Sequence, residues 1–235
     1  MAFLFRPRKS YMAKNIIIVS NGRFGNFSFF KRKISMMENR LIICCDGAAN
    51  NLRECGIKPD LIIGDMDSLE VSIVNEYEIE KVEILKYPAN KDFTDTELAL
   101  DYAFSLKPAA VYIWGALGGR IDHILANVCL LTKAGQAGIN VRLIDEYCEA
   151  FIARENDAIS DAIGCTVSLL SLSDEVCGIS LTGFAYPLNK ENLRMGQTRG
   201  VSNIIMESPA VVEYKSGVLL IIRYWMKDLF PEVTK

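Results

Sequence analysis

A chain of 235 residues, half of them hydrophobic, is long enough to bury a substantial core, in one large domain or two small ones. Its 29 acidic and 26 basic side chains leave a formal net charge of −3, with no excess that would hold a polyanion, which argues against nucleic acid as a partner. No apolar run approaches the roughly 20 residues of a membrane-spanning helix, and residues 1–14 lack the apolar stretch of a secretory signal, so a cytoplasmic protein is expected.

In chain order, the short basic clusters at residues 6–9 and 31–33 read as solvated surface. Short, β-branched, nearly all-apolar runs follow at residues 16–19, 41–45, 61–63, 82–85, 110–114 and 141–144, alternating with helical stretches. That alternation predicts a Rossmann-like parallel sheet with crossover helices, covered on both faces. Cys44 and Cys45 fall inside the second run and read as small buried side chains. Seven cysteines, an odd number without a Cys-x-x-Cys pair, fit reduced thiols of the cytosol and not a zinc site.

Two helices carry start signals. Thr94-Asp-Thr-Glu97 is a capping box, after which Leu98, Tyr102 and Leu106 share one stripe. A second helix is predicted from about Arg120 to Leu131, with Ile121, Leu125 and Val128 on its apolar face and Asp122, His123 and Asn127 elsewhere. Beyond residue 144 the runs shorten and are separated by Gly, Ser, Asn and Pro, which predicts an all-β, sandwich-like domain and a division into residues 14–145 and 146–235. Its clearest element reads as a hairpin: residues 210–214, then Lys-Ser-Gly, then 218–222.

Ligands of open α/β sheets bind outside the carboxyl ends of the strands, and here those ends are followed by carboxylates. Asp46 follows the second run, Asp65 and Asp67 the third, Asp92 and Asp95 the fourth, and Asp122 the fifth, after a glycine-rich stretch and Arg120. Taken singly, Asp46-Gly47 and Gly64-Asp65 fit turns, Thr94 a helix cap, Asp122 a first-turn carboxylate, and His123 a surface or packing residue. Turn chemistry does not supply their coincidence at four successive strand ends. So many like charges on one edge call for a cation, and an oxygen-only donor set selects Mg²⁺, which usually binds together with substrate phosphates. A nucleoside triphosphate is the natural ligand, with Arg120 and the glycine amides available to its phosphates. Neither a P-loop nor a Gly-x-Gly-x-x-Gly dinucleotide fingerprint is present.

At these residues the chain resembles the thiamine pyrophosphokinase (thiamine diphosphokinase) family. The segments that carry the resemblance are Cys45-Asp-Gly-Ala-Ala-Asn50, Pro59-Asp-Leu-Ile-Ile-Gly-Asp-Met-Asp-Ser-Leu69, Lys91-Asp-Phe-Thr-Asp-Thr-Glu-Leu-Ala-Leu100 and Gly115-Ala-Leu-Gly-Gly-Arg-Ile-Asp-His-Ile-Leu-Ala-Asn127. Thr182-Gly183, Tyr186-Pro-Leu188 and Gly200-Val-Ser-Asn203 extend it into the second domain. The resemblance implies an α/β nucleotide domain, a β-sandwich domain, and a homodimer that binds thiamine at the subunit junction. The implied reaction is Mg²⁺-dependent transfer of diphosphate from ATP to the thiamine hydroxyl, giving thiamine diphosphate and AMP.

It also implies roles. Asp65, Asp67 and Asp46 hold the metal, with Asp95 beside them as the fourth catalytic carboxylate; Asp92, Thr94, Arg120 and Asp122 serve ATP; Ser202 and Asn203 contact thiamine. Tyr186 stands where some family members carry tryptophan against the cationic thiazolium, and packing within the β domain is its other reading. Two alternatives remain open from sequence: an ATP-dependent phosphotransferase acting on another small alcohol, and a non-catalytic sensor of nucleotide or thiamine.

Overall fold

The computed structural model describes residues 15–225, so the basic cluster at 6–9 and the outermost residues of both predicted domains lie outside the described residues. The chain divides into two compact units between Asp145 and Glu146. The first alternates strand and helix: β1 (Asn15–Val19), α1 (Phe27–Ser35), β2 (Arg40–Cys45), α2 (Ala48–Glu54), β3 (Leu61–Gly64), α3 (Val71–Ile79), β4 (Glu83–Lys86), α4 (Asp95–Ser105), β5 (Ala110–Trp114), α5 (Ile121–Gln136) and β6 (Asn140–Ile144). These strands are all parallel, in the spatial order β6-β5-β1-β2-β3-β4. Ile16, Ile18, Ile43, Ile62 and Ile113 are fully buried, as expected for a sheet covered on both faces. Strand order reverses between β1 and β5: the chain steps outward to β4, then α4 carries it back across β1, β2 and β3. Such a reversal opens a crevice at the carboxyl edge of the sheet.

The six predicted strands are present, with ends differing by at most one residue. Thr94 caps α4 as expected, its hydroxyl oxygen accepting from the Glu97 amide at 3.1 Å. Helix α5 departs from expectation. It runs on to Gln136, and its buried residues are Asn127, Leu131 and Ala134, whereas Ile121 and Leu125 are 75% and 60% exposed. The stripe has the right period and the wrong phase. Asn127 turns inward because its side-chain amide donates to the Ala116 carbonyl at 3.0 Å, which satisfies a polar group that sequence reasoning had placed outside. Cys44 and Cys45 are buried in β2, and all seven cysteines are free thiols.

The second unit contains β7 (Cys148–Ile152), β8 (Asp157–Ile159), β9 (Thr166–Ser171), β10 (Glu175–Thr182), β11 (Glu191–Arg194), β12 (Asn203–Ile204), β13 (Ala210–Glu213) and β14 (Leu219–Tyr224). Strands β12-β9-β14-β7 form one antiparallel layer and β11-β10-β13-β8 another. Val167, Leu169, Leu219 and Ile221 of the first layer share a core with Val176, Ile179, Leu181 and Val212 of the second, which makes a β-sandwich. The expected hairpin is absent. β13 pairs with β10 and β8, while β14 pairs with β7 and β9, so these consecutive strands belong to opposite layers. Alternating apolar residues on both runs serve one core from its two sides, a pattern that a hairpin shares.

Candidate active site

The carboxyl edge of the first unit surrounds a cavity of about 540 Å³. Each surrounding loop is shaped by the strand it leaves. After β2 the backbone turns at Asp46, whose φ of 41° is unusual for a residue with a side chain. Its amide donates to the Ile63 carbonyl at 2.9 Å and its carbonyl accepts from Ala49 at 3.0 Å, tying the end of β2 to β3 and to the start of α2. Gly64 leaves room for it, since a Cβ there would fall 2.7 Å from the Asp46 Cβ. After β3, Asp65, Met66 (φ 68°) and Asp67 form a tight turn in which the Asp67 amide donates to Asp65 Oδ1 at 3.2 Å.

These turns bring Asp46, Asp65 and Asp67 together, with one carboxylate oxygen from each lying within 4.8 Å of the others. Asp46 is only 4% exposed, and its Oδ1 is buried with no hydrogen-bond partner. Burial raises the Asp46 pKa, the Ser68 hydroxyl opposes this, and Asp65, Asp95 and Asp67 add to it. Asp65 is shifted the other way. The Asp67 amide is the largest cause of its lowered pKa, and Lys91 contributes through its charge. A buried carboxylate oxygen without a donor, next to two further carboxylates, is a donor set suited to a hard divalent cation, and Mg²⁺ fits it.

Thr94 and Asp95, at the start of α4, also line the cavity, as does Arg120 before α5. The two helices thus present amino-terminal turns, where free amides and the helix dipole favour phosphate. Gly118 and Gly119 approach α5 at φ 113° and 93°, conformations that side chains rarely tolerate. Two expected members stand apart. Asp92 is exposed and does not contribute to the lining. Asp122, likewise exposed, holds Arg120 in a two-pronged pair at 3.1 and 2.5 Å. That pair lowers the Asp122 pKa and raises that of Arg120. A phosphate drawing on Arg120 would have to compete with this carboxylate.

Several cavity residues went unrecognised in the sequence. Ser20, Asn21, Gly22 and Arg23 leave β1 at the point of strand reversal, and the Ser20 hydroxyl meets Thr96 Oγ1 at 2.9 Å. This loop carries no carboxylate, although Asn21-Gly22, one residue beyond the apolar run 16–19, is a turn signal. His123 and Asn127 of α5 also reach the lining. Lys91 lies in the acidic cluster, 3.0 Å from Asp95 Oδ1 and 3.7 Å from Asp65 Oδ2. Burial opposes its charge, but Asp95, Asp65 and Asp46 outweigh burial and its pKa is raised.

Within the second unit, Asn203 Oδ1 accepts from the Tyr186 and Ile204 amides at 3.0 and 2.9 Å, and its Nδ2 donates to the Tyr186 carbonyl at 2.7 Å. It clamps the loop that carries Tyr186, whose ring is exposed. Ser202 is exposed at φ 61°, with its amide donating to Ser168 Oγ at 3.1 Å.

Comparison with known proteins shows the family. Residues 33–143 match the family model described as thiamin pyrophosphokinase, catalytic domain, and residues 152–219 match thiamin pyrophosphokinase, vitamin B1 binding domain. A thiamine pyrophosphokinase of Bacillus subtilis is 35% identical over 188 residues, covering 79% of this chain and 88% of the relative. The crystal structure of a Bacillus subtilis thiamine pyrophosphokinase superposes with a TM-score of 0.81 at 30% identity, covering 90% of this chain and 99% of that one. The yeast enzyme, at 15% identity and a TM-score of 0.75, shares the fold over 94% of this chain and 89% of its own. With both domain models matched in order and a relative of this identity along most of its length, the chain belongs to the thiamine pyrophosphokinase family.

Proposed function

We propose that this enzyme transfers diphosphate from ATP to the hydroxyl of thiamine, giving thiamine diphosphate and AMP, with unit one as the nucleotide-binding catalytic domain and unit two as the thiamine-binding domain. The observation that carries the reading is the buried Asp46 Oδ1, without a hydrogen-bond partner, beside Asp65 and Asp67 at the carboxyl ends of β2 and β3.

Asp46, Asp65 and Asp67 are assigned to hold Mg²⁺, which when bound neutralises charge on the transferring and departing phosphate oxygens. Thr94 and the amino-terminal turn of α4 are assigned to a phosphate. The Thr94 hydroxyl oxygen already accepts from Glu97, so its proton remains available to donate. Arg120 is assigned to the same polyphosphate in exchange with Asp122, and Asp92 to the outer rim of the nucleotide site. The thiamine hydroxyl oxygen forms a bond to the β-phosphorus as the bond from that phosphorus to the α-bridging oxygen breaks. Its proton passes to one of the cluster's carboxylates, with Asp95 beside the trio for this purpose. In-line positioning by rigid strand ends supplies much of the rate.

Ser202 and Asn203 are assigned to thiamine, and the exposed Tyr186 ring to the thiazolium cation. Family membership supports a homodimer with thiamine at the subunit junction, and seven free thiols support a reducing cytoplasm. Product analysis with purified protein, MgATP and a panel of small alcohols tests the reading: AMP formed only with thiamine supports it. ADP as the nucleotide product would place the enzyme among simple phosphotransferases, and binding without turnover would make it a sensor.

A further inference from the structure

The acidic cluster contains a cation of its own. Lys91 is only 14% exposed, and its ammonium is held between Asp95 and Asp65 at 3.0 and 3.7 Å. A largely buried ammonium keeps its charge only if carboxylates answer it, and Lys91 has two. One of them is shared, because Asp65 also belongs to the trio with Asp46 and Asp67. Its Oδ1 receives the Asp67 amide, and its Oδ2 is the oxygen nearest Lys91. Asp46 Oδ1 is the place for a second positive ligand: it is buried within this cluster and has no hydrogen-bond partner, while Lys91 pairs with Asp95 and Asp65.

We infer that Lys91 is the resident counter-ion of the metal-free site and competes with the divalent cation for Asp65. The inference rests on the assignment of Asp46, Asp65 and Asp67 to a metal. Without metal, Lys91 relieves the repulsion among carboxylates crowded at the strand ends. When metal binds, two cations share one carboxylate, and their repulsion weakens the affinity for the ion alone. A bound polyphosphate adds negative charge and removes that penalty, so Lys91 makes metal loading depend on nucleotide. It is a positioning residue: its effect passes through Asp65 and it is given no contact with substrate.

The test is calorimetric titration of the full-length protein with MgCl₂ in the absence of nucleotide, comparing wild type, Lys91→Met and Lys91→Arg, with thermal melting in EDTA and in saturating Mg²⁺. Removing a unit positive charge a few ångströms from the ion should tighten Mg²⁺ binding about tenfold in Lys91→Met. The same variant should melt lower than wild type in EDTA and recover with Mg²⁺, and Lys91→Arg should keep the wild-type affinity. General damage to the site would weaken metal binding, so a tighter Lys91→Met is a result that misfolding cannot imitate. If that variant proves too unstable without metal, protein purified in Mg²⁺ and back-titrated with EDTA gives the same constant. Wild type that binds Mg²⁺ while Lys91→Met binds it equally or more weakly overturns the inference and leaves the metal assignment standing. Wild type that binds no Mg²⁺, with or without ATP, overturns both.

Discussion

Gly64 and Asp46 are packed so closely that a methyl group on the first would fall 2.7 Å from the Cβ of the second. Asp46 cannot retreat, because its backbone is fastened to Ile63 and Ala49. Gly64→Ala should therefore move the Asp46 carboxylate, at a cost of about 1–3 kcal/mol. The stabilisation of the protein by Mg²⁺ should fall more than its melting temperature in EDTA. Equal Mg²⁺ response in mutant and wild type would remove Gly64 from any role in shaping the site.

Asp67 is exposed, and its carboxylate is bonded to the Ser68 hydroxyl at 3.0 Å, while its amide makes the contact that shapes the turn. Asp67→Asn should leave melting unchanged within about 0.5 kcal/mol and lower kcat on the order of a hundredfold or more. Steady-state assays beside circular dichroism separate the two effects. Turnover within a few-fold of wild type would speak against the metal assignment.

Asp46 gives a pH signature. A carboxyl whose pKa is higher folded than unfolded favours the native state below its unfolded value near 3.8, and that contribution is lost as pH rises through the folded value. At neutral pH the ionised, buried group is a burden on the metal-free protein. Asp46→Asn should thus melt higher than wild type in EDTA at pH 7, with the difference shrinking as pH falls toward 4, and it should gain nothing from Mg²⁺. A difference that grows as pH falls would contradict the burial argument.

The two neighbours proposed to contact thiamine should behave differently. Asn203 is 6% exposed and makes three hydrogen bonds, two of them to Tyr186, so Asn203→Ala should cost about 2–4 kcal/mol and loosen the Tyr186 loop. Ser202→Ala should leave melting nearly unchanged and raise the KM for thiamine several-fold with little effect on the KM for ATP. A Ser202→Ala enzyme with an unchanged thiamine KM would take that residue out of the site.

The strands and the acidic trio were legible because each rests on a local signal: an apolar run, and a carboxylate directly after it. Thr94 was legible for the same reason, since a capping box is written within four residues. What escaped detection depends on partners distant in sequence. Asn127 reads as a surface residue until the Ala116 carbonyl is in place, which put the buried face of α5 out of phase. Nothing local to Lys91 shows its two ion-pair partners, because Asp65 and Asp95 come to either side of it only once β3 and α4 are in place. Asp92 and Asp122 follow strands as their fellows do, yet both are exposed and stand outside the lining, while their chain neighbours Thr94, Arg120 and His123 are part of it. Residues 210–222 alternate as any hairpin would, and nothing local distinguishes pairing with one another from pairing with strands elsewhere.

That last pairing has a mechanical consequence. In the second unit the chain passes between layers at nearly every connection, from β7 to β8, β8 to β9, β9 to β10, β11 to β12, β12 to β13 and β13 to β14. Neither layer can be finished from a contiguous stretch of polypeptide. β14, the last of the described strands, lies between β7 and β9, so a nascent chain that ends at Glu213 holds two separated edges and an open core. Closure must wait for the last strand to thread between them, which makes assembly of this unit an all-or-nothing event, slower than the stepwise laying down of neighbouring parallel strands that precedes it.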